Sequence, residues 1–197
     1  MLRLIAVASK HAPHGESALP YLAVVLFVLL VIASVSDYRT YRIPNWLTFG
    51  GAIFALVYKT VIAVSPPEAF LQAFGGLFLG FLIMLPAYAL GVMGAGDVKL
   101  MAMVGAFLGV HETLQAVLFA FIVGGIAALG FAFLRGKLGC MLSNARVAVF
   151  GMVASTFAGF RPSARIEAGQ SIGKLPYGIC ISIGTMGYVL GRQLGYA

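Results

Sequence analysis

Aspartate occurs twice in the 197-residue chain, at Asp37 and Asp97. Two carboxyl groups brought close together are suited to amide hydrolysis: one takes a proton from water while the other protonates the carbonyl oxygen or the leaving nitrogen. Neighbouring like charges resist ionising together, so one proton is shared and one acid stays protonated well above the usual carboxylate pKa of about 3.9. Such chemistry requires neither a metal nor an organic cofactor, and none is expected. Cys140 and Cys180 lie far apart and form no CxxC, and His11, His14 and His111 lack metal-ligand spacing.

Each aspartate also has an ordinary structural reading. Asp97, in "GAGDVKL", would serve as the N-cap of a helix starting at Val98, where it meets the positive end of the helix dipole. Asp37, in "SVSDYRTYRIPN", would mark an exit from a bilayer. Gly94 and Gly96 are able to take positive φ and to present bare backbone, so that a substrate strand could approach Asp97 without meeting a Cβ.

The elements that must position these residues are set by hydrophobicity. The chain is 61% hydrophobic and 10% charged, with a mean hydropathy of +1.00, which excludes an ordinary soluble domain. It reads as an all-α, polytopic membrane bundle, a single domain over residues 1–197 with a polar N-terminal arm at 1–18 that is too short in apolar residues for a cleavable signal. Apolar runs place spans near 19–36, 46–64, 69–93, 98–110, 113–134 and 176–193. The run 98–110 is too short to cross alone and must be surrounded by protein, meet thinned membrane or begin below the interface. The apolar stretch 147–160 is flanked by basic residues on both sides and is expected to be interfacial or re-entrant. Glycine pairs four apart, Gly76 and Gly80, Gly105 and Gly109, and Gly187 and Gly191, are expected to let helices approach closely.

Two spans separate Asp37 from Asp97, so both emerge on one face. With the N-terminus outside, that face carries Arg39, Arg42, Lys99, Arg135, Lys137, Arg146, Arg161, Arg165 and Lys174, against Arg3, Lys10, Lys59 and Arg192 on the other, and the positive-inside rule makes it cytoplasmic. The net charge of +7 is scattered through short segments between apolar runs, which suits topology and anionic lipid rather than nucleic acid. Arg39, Arg42 and Lys99 are candidates for contact with lipid headgroups or a substrate carboxylate. Pro44 disfavours helix at Ile43, and Asn45 is expected to cap a helix that begins at Trp46, turning the chain sharply after Asp37. From helix ends alone, Asp97 at an N-terminus is expected to act as base and Asp37 near a C-terminus as acid.

"DYRTYRIPN" and "GAGDVKL" together resemble the D-x5-I-P-N and G-x-G-D-x-K signatures of the type IV prepilin peptidase family, membrane aspartyl proteases of the GxGD type, and "KLPYGICISIG" is similar to that family's Pro-x-Gly segment before the last helix. These motifs span about 37 to 184. The resemblance implies a multi-pass protein of the bacterial inner membrane that cleaves the basic leader from prepilins or pseudopilins at the cytoplasmic boundary. Asp37 and Asp97 would be the catalytic pair, Gly94 and Gly96 would shape the second motif, and Ile43, Pro44 and Asn45 would fix the first loop. The chain lacks the CxxC pairs of larger members and any glycine-rich cofactor loop, so methyl transfer to the new pilin terminus is not implied. Its compact size is similar to the branch serving Flp or tight-adherence pili. An ion-coupled transporter, with the aspartates as cation sites, and a non-enzymatic pilus-assembly scaffold are the competing classes.

Overall fold

The computed structural model describes residues 19–89, 91–134, 136, 139 and 177–194. They form six helices: α1 (Leu19–Thr40), α2 (Asn45–Ile62), α3 (Pro66–Ala89), α4 (Ala95–Leu108), α5 (Val110–Leu134) and α6 (Tyr177–Gln193). The arm at 1–18 and the stretch 147–160 lie outside the described residues, as do Arg146, Arg161, Arg165 and Lys174.

Helices α1, α2, α3 and α5 are long and apolar enough to cross a membrane, and in each only 22–28% of the apolar window is buried inside the protein. Most of the remainder is apolar too, with Val24, Phe49, Ile53, Phe78, Ile122 and Phe133 all exposed. A surface of that kind is stable against hydrocarbon, where a helix also satisfies its own backbone amides. The protein is an integral membrane protein built as a helical bundle.

Helix α4 solves the problem of the short apolar run. Its 14 residues reach about 21 Å, less than the hydrocarbon thickness of about 30 Å. Every residue from Leu100 to Phe107 is buried, the pattern of a helix that is enclosed all round. It packs most extensively on α3 and also touches the other four helices, so protein rather than lipid surrounds it.

Small residues permit that enclosure. A Cβ on Gly76 would collide with the Gly105 carbonyl oxygen, and one on Gly80 would lie 2.6 Å from the Met101 carbonyl oxygen, so α3 and α4 meet backbone to backbone. Gly109 has a different task. With φ of +97° it ends α4, and α5 starts at the next residue. Among the described residues nothing lies within 4 Å of a Cβ on Gly187 or Gly191, so no close helix approach is seen there. Gly184, one turn earlier, is the close contact on α6: its Cβ would lie 2.6 Å from Ala120 Cα on α5.

Two helix boundaries near the aspartates differ from the sequence reading. Helix α1 continues to Thr40, so Asp37 lies in its last turn and the chain reverses at Tyr41, whose φ of +51° is left-handed. The hydroxyls of Ser36 and Thr40 both donate to the Arg42 carbonyl oxygen, at 2.9 and 3.1 Å, and hold that reversal. Helix α3 stops at Ala89 with a left-handed Gly91: the Gly91 amide bonds to the Tyr88 carbonyl and the Val92 amide to the Ala87 carbonyl. This paired closure satisfies carbonyls that the helix end would otherwise strand.

Candidate active site

The site collects the end of α1, the loop 41–44, and the starts of α4 and α6. Asp37 and Asp97 are only 6% and 7% exposed, and each lies within electrostatic reach of the other. Among the described residues neither has an ion-pair partner. Backbone amides hold them instead.

Asp97 is not the N-cap of α4. Gly94 takes that position in extended geometry, with φ of −81° and ψ of 157°, and Asp97 is the third residue of the helix. Its Oδ2 accepts the Gly94 amide at 3.0 Å while its own amide donates to the Gly94 carbonyl at 3.1 Å. Neither Gly94 nor Gly96 uses positive φ. Their value lies in the missing side chains. Among the described residues a Cβ on Gly94 would meet nothing nearer than its own Asp97 at 3.5 Å, which leaves that backbone open to them, whereas Gly96 packs on Ile43, whose Cβ would be 3.3 Å away.

Asp37 reaches the first turn of α6. The Gly178 amide donates to its Oδ2 at 2.9 Å, and the Ile179 amide acts on it as well. First-turn amides have no partner within their own helix, so a carboxylate from α1 completes the start of α6. The helix ends therefore do not divide the pair as the sequence argument has it: Asp37 belongs to a C-terminal turn but sits at another helix's N-terminus. Gly178 is the key to this contact, because a Cβ there would be 2.8 Å from Asp37 Oδ2 and 3.0 Å from Ile43 Cδ1.

Ile43 is thus a buried wedge touching both Gly96 and Gly178, and it ties the first loop to both helix starts. Pro44, extended at φ −63° and ψ 133°, is the N-cap of α2, and Asn45 is its first residue rather than its cap. The Asn45 side chain is used elsewhere: its Oδ1 accepts Lys99 Nζ at 3.0 Å, and the same ammonium lies 5.2 Å from the centre of the Phe49 ring. Lys99 therefore joins α4 to α2 across the two motifs. Arg39 and Arg42 are exposed beside them.

Burial pushes the Asp97 carboxyl up to about 6; the Gly94 amide opposes that rise, and the nearby Asp37 adds to it. Among the described residues no cation offsets either enclosed carboxyl. An apolar cleft of about 210 Å³ adjoins them, lined by Met84, Met93, Phe121, Tyr177 and Cys180 among others. Tyr177 and Cys180 both lie within electrostatic reach of Asp97. Among the described residues no group of three His, Cys, Asp or Glu is arranged to hold a metal ion.

Sequence reasoning missed three contributions: the Gly178 and Ile179 amides, the Ser36 and Thr40 hydroxyls, and the Phe49 ring. Only the first had a signal, the Pro-x-Gly segment at 176–178.

The chain is 33% identical over 119 residues to the prepilin leader peptidase/N-methyltransferase of Bacillus subtilis, an alignment covering 59% of this chain and 46% of that protein. The match thus spans about half the length of that relative. No solved structure matches this chain. Residues 24–129, more than half of the chain and including both aspartates, match the type IV leader peptidase family, and the chain belongs to that family.

Proposed function

We propose that the protein is a membrane aspartyl endopeptidase that removes the leader from a prepilin-like substrate, with Asp37 and Asp97 as the catalytic pair. The observation that carries this reading is the enclosure of the pair: two buried carboxyls held by backbone amides at one end of the bundle, with no ion-pair partner among the described residues. Family membership supports the reaction class.

The pair shares one proton. One carboxylate takes a proton from water as its oxygen attacks the scissile carbonyl carbon, and the other carboxyl gives its proton to the carbonyl oxygen. Collapse of the tetrahedral intermediate breaks the carbon–nitrogen bond, with a proton returned to the leaving nitrogen. The apparent titration then belongs to the pair rather than to either residue. The open backbone at Gly94 gives an extended substrate strand close approach to Asp97, and the adjoining apolar cleft suits the hydrophobic helix that follows a leader. The site faces the cytoplasm in the bacterial inner membrane, by the positive-inside argument.

Co-expression with a candidate prepilin tests the proposal. The expected outcome is a leader-length mobility shift that disappears in both Asp37→Asn and Asp97→Asn while the variants stay in the membrane. Normal cleavage by either variant overturns the pair.

A further inference from the structure

A second concentration of charge lies at the other end of the bundle. A half-open cavity of about 230 Å³ is lined by Leu22 near the start of α1, Lys59 near the end of α2, Leu108 at the end of α4, Glu112 in the first turn of α5 and Arg192 near the end of α6. Asp37 closes α1 and Asp97 opens α4, so the two sites sit at opposite ends of the same helices. The proposed peptidase chemistry has no use for this cavity.

Among the described residues its charges do not balance. Arg192 is ion-paired with Glu112. Lys59 has both groups within electrostatic reach, yet among the described residues its ammonium has no ion-pair or hydrogen-bond partner of its own. Among the described residues one positive charge is left over in a cavity whose walls, apart from these charges, Tyr188 and Gln193, are apolar: Leu22, Leu26, Phe107 and Val189. A lysine held against such walls is costly unless an anion joins it. Gly109 lies beside it: a Cβ there would come to 3.8 Å from Lys59 Nζ and 3.7 Å from the Gln72 carbonyl oxygen.

One surplus cation, apolar walls and a position at the ends of membrane-length helices fit a ligand with one negative charge and a hydrocarbon body. We propose that this cavity binds the phosphodiester headgroup of an anionic phospholipid from the leaflet opposite the aspartate pair, with Lys59 as the principal contact. The upper acyl carbons lie along Leu22, Leu26 and Val189. A free inorganic anion would satisfy the charge but leave the apolar walls unmatched.

The test uses the full chain purified in nonionic detergent. Its thermal unfolding is titrated with phosphatidylglycerol, with phosphatidylcholine of the same acyl chains, and with inorganic phosphate alone, and native mass spectrometry counts the lipid retained. The expected result is half-maximal stabilisation by phosphatidylglycerol at about tenfold lower concentration than by phosphatidylcholine, the effect of one charge contact, and no shift with phosphate. Lys59→Gln should lose that preference and Lys59→Arg should keep it. Ala23→Trp, which fills the cavity without altering charge, should lose binding and serves if Lys59→Gln does not fold. Equal response to the two lipids, an undiminished preference in Lys59→Gln or Ala23→Trp, or a full shift with phosphate alone would overturn the proposal.

Discussion

The two ends of the bundle carry buried or half-buried carboxylates and neutralise them differently. At the Lys59 end, Glu112 meets a guanidinium, and the pair is partly open, with side-chain exposures of 24% and 47% for Glu112 and Arg192. At the other end, Asp37 and Asp97 are buried, accept backbone amides, lie within electrostatic reach of each other and have no ion-pair partner among the described residues. A carboxylate with a cation can stay ionised. One that has only amides and a second acid for company lowers its cost by holding a proton. The same functional group is therefore met by a side-chain cation at one end and by backbone amides at the other.

The largest expected consequence is in stability against pH. Asp97 moves from 3.8 to about 6 on folding, so between those values the folded state binds more protons than the unfolded one. Stability from this group is full below about pH 4 and is lost as pH rises through about 6, a change of about 3 kcal/mol. Unfolding in detergent at pH 4 and pH 7 should show it. Asp97→Asn should flatten the profile across that window; an unchanged profile in the variant would place the two ends in the same electrostatic class.

Next in size is the positioning of Asp37. Gly178→Ala puts a methyl group where the Asp37 carboxylate rests and pushes against Ile43 as well. A displacement of about 1 Å at a reacting group costs about 100-fold in rate. Leader cleavage should fall by about that factor in kcat, with KM nearly unchanged and the protein still in the membrane. Cleavage at the normal rate would mean that the amide contact at α6 does not set the carboxylate.

Much of the architecture was legible from composition, because apolar runs of membrane length leave a chain few alternatives to helix. The clustering of Asp37 with Asp97 follows from the same source: two membrane-length runs between them return the chain to one end. Local geometry was less legible. Asp97 is the third residue of α4 rather than its cap because Gly94 takes the cap position and Ala95 and Gly96 already join the helix, and Asn45 is recruited by Lys99 54 positions away. Tertiary partners of that kind leave no local pattern. The role of Gly178 was hidden for a related reason: the motif marks the position, but only the fold shows that a carboxylate from α1 occupies the missing side chain's place. At the far end, Lys59 and Arg192 read from sequence only as topology charges, although the fold gathers them with Glu112 around one cavity.

The smallest expected effect lies at that far end and contrasts most directly with Asp97. Glu112→Gln removes an ion pair that is half open to its surroundings, and such pairs contribute about 0.2 to 1 kcal/mol. Stability should drop by no more than that, and leader cleavage should be unaffected, since the site is formed by the opposite helix ends. The substitution also leaves Lys59 and Arg192 facing the cavity without an acid, so affinity for an anionic headgroup should rise rather than fall. A cost near that of the Asp97 proton, measured by unfolding at pH 7, would show that Glu112 is structural in its own right and that its end of the bundle depends on a buried charge as strongly as the other does.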